Sequence, residues 1–279
     1  MFDKCGLCLK TDELKDSHLM PAAIYRLLRE PARKNPNPVV IRPKTSAITS
    51  RQVSSYFLCG DCEQRFSDNG EREVIAHCAR EEGDFQLRAR LETATPILVP
   101  STPPVKVFNV ESLLGKLTES FLYFGASVFW RAAAHQWEFR GEPVARISLG
   151  DRNQEQFRLY LLGQGPFPSN ARLYLHVSSE TNPDMICVFP CTTRLDGLHR
   201  HKFNVPGLAF ILFVGHGADK RHDDTALNSS RNPHIWLCPL RNDSLFRGMQ
   251  NVMKTTEARG TLSNQAGSGG ARTAAQGSQ

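Results

Sequence analysis

Apolar residues recur at spacings of three and four from Leu113 and Leu114 through Leu117, Phe121 and Phe124 to Val128. That period predicts a long amphipathic or buried helix. Gly115 and Gly125 lower its intrinsic helicity but allow close packing against a neighbour. Shorter helical patterns run over Met20–Glu30, behind Arg152 to Leu162, and from Asp243 to Thr256, where Asn242 or Asp243 supplies the cap. A further helix follows Cys62, with a predicted break at Asp68-Asn69-Gly70.

From Arg172 onward the period changes. RLYLHVSS, MICVFP, HKFNVP, LAFILFVGH and HIWLCPL are short, rich in β-branched and aromatic residues, and divided by turn formers. They predict a mostly antiparallel sheet packed on the long helix. RQVSSYFLCG reads as a strand, and PARKNPNPVVIRPK as a basic, proline-rich loop. The proline-rich stretch from Leu98 to Val107 is the expected boundary between a first domain, 1–95, and a second, 96–258. The Gly/Ser/Gln/Ala-rich tail, 259–279, is expected to be disordered.

Composition narrows the class. At 40% hydrophobic and 22% charged residues, the chain is ordinary for a globular protein. It has no apolar run long enough to span a membrane, and its first residues lack the order of a signal peptide. A cytoplasmic, reducing location is therefore expected, with no membrane partner. In such a compartment, closely spaced cysteines hold metal more often than they form disulfides. The net charge of +6 is compatible with a DNA or RNA partner and changes the odds little. Oligomeric state is not encoded in any pattern we recognise.

Four of the eight cysteines form two CxxC pairs, Cys5/Cys8 and Cys59/Cys62. Each pair offers two thiolates on one tight turn, and zinc takes four such ligands in a tetrahedron. A structural Zn2+ on these four residues is the expectation; the alternative is two unrelated pairs of buried thiols. Cys187, Cys191 and Cys238 lie in or beside apolar strands and read as small buried hydrophobes. His199 and His201 share a strand face without a partner to complete a metal site. No GxSxG, Walker or Rossmann pattern occurs.

The order CGLC, DSHLMP, LCGDCEQRF resembles the treble-clef, ββα-metal arrangement of HNH-type endonucleases over residues 5 to 75. The fold class this implies is α+β: a zinc-binding HNH-like module, then a helix-plus-antiparallel-sheet domain. By the resemblance, His18 takes the place of the general base that activates water against a phosphodiester. Glu63, directly after Cys62, takes the place of the family's metal-binding histidine and would hold a catalytic Mg2+ or Mn2+. Two positions depart from the pattern. No asparagine precedes the second pair, Gln52 being the nearest amide, and Ser17 stands where an acid or histidine is usual.

The residues also admit plainer roles. His18 fits a structural hydrogen-bonding or zinc-ligand role, and Glu63 or Asp61 a first-turn carboxylate at a helix dipole. Asp68, Glu71 and Glu73 read as a solvated face or extra oxygen ligands, and Arg131 as a capping or pairing group. Arg29, Arg33, Lys34, Arg42, Lys44 and Arg51 form either a phosphate-contacting loop or a solvated one. Two functions follow: a metal-dependent HNH-like endonuclease, or a non-catalytic zinc module that binds nucleic acid or protein.

Overall fold

The computed structural model describes residues 1–263 apart from 31, 33, 34, 43, 81, 82, 99–103, 112, 146, 196, 219–221 and 261. Most of the expected tail, Arg33, Lys34 and the centre of the proline-rich stretch thus lie outside the described residues.

The chain begins with β1 (Phe2–Lys4), β2 (Thr11–His18), α1 (Ala22–Leu27), β3 (Val39–Ile41), β4 (Thr45–Ile48) and β5 (Ser54–Cys59). One helical stretch follows: α2 (Gly60–Phe66), a π turn over Ser67–Glu71, and α3 (Arg72–Ala76). Next come α4 (Gln86–Thr93), β6 (Lys106–Asn109) and α5 (Leu117–Ala134). A small hairpin, β7 (Glu138–Phe139) and β8 (Glu142–Pro143), precedes α6 (Asp151–Leu161). Five strands follow: β9 (Ala171–Ser178), β10 (Val188–Leu195), β11 (Leu198–Val205), β12 (Leu208–Val214) and β13 (His234–Cys238). α7 (Ser244–Thr255) and β14 (Glu257–Ala258) come last. The architecture is mixed α+β with several sheets.

Two compact units share these elements. The larger comprises Met1–Leu27 with Gln52–Leu240; the smaller comprises Leu28–Arg51 with Arg241–Gln279. α5 and the large sheet fall in the same unit as the cysteine pairs. The physical reason is α5 itself. Every residue from Phe121 to Ala132 is buried, so this helix has no solvent face to serve as a boundary.

One side of α5 lies on a six-stranded sheet of order β10-β11-β12-β9-β13-β6. Its neighbours pair antiparallel except β13 with β9, which run parallel. The central strand β12, LAFILFV, is apolar throughout because both of its faces are covered. Phe203 and Phe210 stack at 4.8 Å and receive Phe121, Phe124 and Phe129 from the helix. Gly125 sets the approach: a Cβ there would come within 2.7 Å of Leu173 Cδ2. The opposite side of α5 packs on the π turn, where a Cβ on Gly70 would meet the Phe124 backbone nitrogen at 2.9 Å. The expected break at Asp68-Asn69-Gly70 is therefore a widened turn within a continuous helical stretch, seated on α5.

In the smaller unit, β3, β4 and β14 form a sheet of order β14-β4-β3. The PARKNPNPVVIRPK segment thus contains a strand, Val39–Ile41, paired antiparallel with Thr45–Ile48. Its prolines hid a short β-branched run.

Candidate metal centre

The cysteine site is assembled by a three-stranded sheet, β1-β2-β5, and the start of α2. β1 and β2 pair antiparallel, and the turn between them carries the first Cys pair. Within that turn, the Cys5 backbone N–H donates to the Lys10 carbonyl at 2.8 Å and the Leu9 N–H donates to the Cys5 carbonyl at 3.0 Å. Leu9 adopts φ of 63° to close it. Gly6 is required by a close approach: its N–H donates to the Phe57 carbonyl at 2.9 Å, and a Cβ would fall 2.1 Å from the Phe57 ring. From α6, Arg158 Nη1 donates to the Leu7 carbonyl at 2.8 Å and pins the turn's far side.

β5 delivers Cys59 as the residue before α2, and Cys62 follows in the first helical turn. The Cys59 N–H donates to Cys5 Sγ at 3.3 Å. The four sulfurs lie within 4.8 Å of one another, with Cys8 and Cys59 Sγ 3.8 Å apart. Cys5, Cys59 and Cys62 are buried and Cys8 is half-buried. The four cysteines predicted from the sequence are thus brought together as a group that could hold a metal ion.

The acid–base character of the group would suit a cation. The Cys62 thiol donates toward Cys5, which holds the Cys5 thiol down at about 4 and pushes Cys62 well above the usual thiol range. Burial raises Cys59. One thiolate is favoured, and further ionisation is opposed by the sulfurs' closeness unless a positive charge sits among them.

His18 ends β2, opposite Ser54 in the register with β5, and Gln52 lies two residues before that partner. Burial lowers the His18 pKa, Asp16 and Glu63 pull it up, and Arg131 pushes it down again. His18 and Glu63 are therefore electrostatic neighbours, and both are half-buried. Glu63 Oε1 is a buried oxygen without a hydrogen-bond donor among the described residues, whereas the Gln52 side chain bears on His18 and helps to raise its pKa. His18 is not part of the thiol group, and among the described residues no other set of three His, Cys, Asp or Glu side chains converges as a metal site.

Glu71, read from sequence as solvated, is instead largely buried, because Arg131 Nη2 donates to its Oε1 at 2.8 Å. Arg131 Nη1 also donates to the His18 carbonyl at 2.9 Å. The guanidinium stands 5.0 Å from the Phe66 ring, closing a cation–π contact. Asp68 is tied up at the surface with Arg72 and Gln64. Cys238 is buried as expected, whereas Cys187 and Cys191 are half-buried.

A second concave feature was not signalled by any motif. It is an open cavity of about 640 Å³ at the C-terminal end of α5, bordered by His135, Gln136, Ser148, Thr192 and His199. His199 stacks on His201, whose Nδ1 shares a 2.8 Å hydrogen bond with Thr192 Oγ1.

No family model, curated protein or solved structure matches this chain.

Proposed function

We propose that the protein is a zinc-stapled, HNH-like phosphodiesterase acting on nucleic acid. The zinc part rests on sulfur geometry. Thiolates about 2.3 Å from a tetrahedral zinc stand about 3.8 Å from one another, and Cys8 and Cys59 have that separation. Each CxxC turn is braced by backbone hydrogen bonds, including the donation from Cys59 N–H to a ligand sulfur. Such a set suits a closed, four-coordinate structural ion with no position left for substrate.

Chemistry therefore belongs beside the staple. The observation that carries this reading is that Glu63 is an electrostatic neighbour of His18 and has one buried oxygen without a hydrogen-bond donor among the described residues. A lowered pKa leaves the His18 imidazole neutral at pH 7, the form able to take a proton from water. The Arg131 donation to its carbonyl fixes the end of the strand that presents the ring. Glu63 offers one hard oxygen to Mg2+ or Mn2+, ions that characteristically keep several waters and bind phosphate besides one or two carboxylates. A divalent ion there would neutralise charge developing on the phosphate and the leaving oxygen.

One observation favours a second reading, a non-catalytic zinc module. Among the described residues, no third ligand-type side chain joins His18 and Glu63. Incubation of supercoiled plasmid, single-stranded DNA and RNA with the zinc-loaded protein in Mg2+ or Mn2+ separates the two. Nicking or shortening of any of them supports the phosphodiesterase. Intact substrates in every metal, from protein carrying a full equivalent of zinc, favour the module.

A further inference from the structure

The positive charge of this chain is not spread evenly. Residues 28–51 and 241–279, the smaller unit, hold eleven Lys and Arg against three Asp and Glu. The rest of the chain holds 23 against 25. The smaller unit is thus net +8 and the larger net −2, so the whole excess charge resides in less than a quarter of the sequence.

Backbone pairing gathers part of that charge at one end of the small sheet. The β3–β4 hairpin closes with the Arg42 N–H donating to the Thr45 carbonyl at 2.9 Å. β14 lies parallel beside β4, its Glu257 N–H donating to the Lys44 carbonyl at 3.3 Å and the Arg259 N–H to the Ser46 carbonyl at 2.9 Å. Thr256 Oγ1 donates to the Arg42 carbonyl at 3.1 Å. Arg42 and Lys44 thus flank the hairpin turn, Arg259 follows β14 beside Ser46, and Lys254 lies in the last turn of α7, two residues before Thr256. Lys44, Arg51, Lys254 and Arg259 are exposed. None of these four, nor Arg42, is in an ion pair among the described residues.

We propose that the smaller unit is a docking surface for the phosphate backbone of nucleic acid. Cations without acidic partners release counterions when they meet phosphates, and this term needs no base-specific geometry. An anionic membrane would also attract the charge, but stable insertion needs exposed apolar side chains. Met253 is the one large hydrophobic residue of this unit that is exposed among the described residues. The surface gives the phosphodiesterase reading its partner. It also stands on charge placement alone, and residues 28–51 are inserted in sequence between His18 and Gln52.

The test measures binding of the full-length His18→Ala protein to a fluorescent 30-mer duplex and a 30-mer single strand across 50–200 mM salt, so that cleavage plays no part. A fourfold variant, Lys44→Ala, Arg51→Ala, Lys254→Ala and Arg259→Ala, should bind at least tenfold more weakly at 100 mM salt. Its log–log salt slope should be shallower by up to about 3.6, from ~0.9 per lost phosphate contact. A matched variant of four exposed cations in the larger unit, Lys10, Arg90, Lys106 and Arg140, should bind like its parent. Equal losses in both variants, or none in either, would overturn the proposal. So would tighter binding to phosphatidylserine vesicles than to both oligonucleotides. Binding confirmed without plasmid cleavage by the wild type would retain this surface and remove the nuclease reading; cleavage with an unchanged salt slope would do the reverse.

Discussion

Arg131 and Glu71 form an ion pair of 2.8 Å inside the larger unit, with the guanidinium side chain 1% exposed and the carboxylate 15%. Burial raises the Glu71 pKa, an effect that Arg131 opposes. Removing one partner strands the other in a site that cannot solvate it. Arg131→Met should therefore cost about 3–5 kcal/mol in urea denaturation, and the double change Arg131→Met with Glu71→Leu should recover most of it. A single-variant cost under about 1 kcal/mol would show that water reaches the pair.

The π turn makes a second, purely steric forecast. Alanine at Gly70 would push its Cβ against the Phe124 nitrogen and the Ser120 carbonyl, which are backbone atoms of α5 and cannot swing aside. Gly70→Ala should lose about 1–3 kcal/mol, although alanine is the better helix former. A gain in melting temperature would mean that the helices are not held at this separation.

His201 supplies the pH forecast. Burial, aided by His199, lowers its pKa from 6.5 to about 4. The unfolded chain then binds the proton more tightly, so this contribution is fully present above pH 6.5 and is lost as pH falls toward 4. Its size is about 3 kcal/mol. His201→Gln should show a smaller stability difference between pH 7 and pH 4.5 than the wild type does, when both are followed by urea unfolding. Identical pH dependence in the two proteins would exclude the imidazole as the source.

Metal removal tests the staple. The wild type should carry one zinc per chain by mass spectrometry of metals, and Cys5→Ser or Cys62→Ser should carry much less. Both variants should unfold at lower temperature, because metal binding to the folded site is itself folding free energy. A zinc-free wild type that melts like the zinc-loaded protein would contradict a structural role.

The parts of this picture that sequence made legible are those written in local periods. The Cys5, Cys8, Cys59 and Cys62 set, the body of the long helix and the short apolar strands β9–β13 were legible in this way, although α5 begins at Leu117 rather than Leu113 and β10 at Val188 rather than Met185. What escaped were features decided by tertiary contact. Gly70 looked like a breaker because local propensity knows nothing of α5, packed so close that a Cβ there would meet its backbone at 2.9 Å. Val39–Ile41 looked like loop because prolines surround it, yet its partner strand follows after a tight hairpin. Glu71 looked solvated because its counterion, Arg131, is sixty residues distant. The helix α4 and strand β6 carried too little period to be seen. His18 and Glu63 entered through resemblance; the fold makes them electrostatic neighbours without adding a third ligand.

In the proposed phosphodiesterase, His18 accepts the proton of the attacking water. Single-turnover cleavage of a labelled oligonucleotide in Mn2+, wild type against His18→Ala, tests it most directly. The rate should fall about 10²–10⁴-fold in a variant that keeps its zinc and its oligonucleotide affinity. Equal rates in the two proteins, or no cleavage by either, would contradict it.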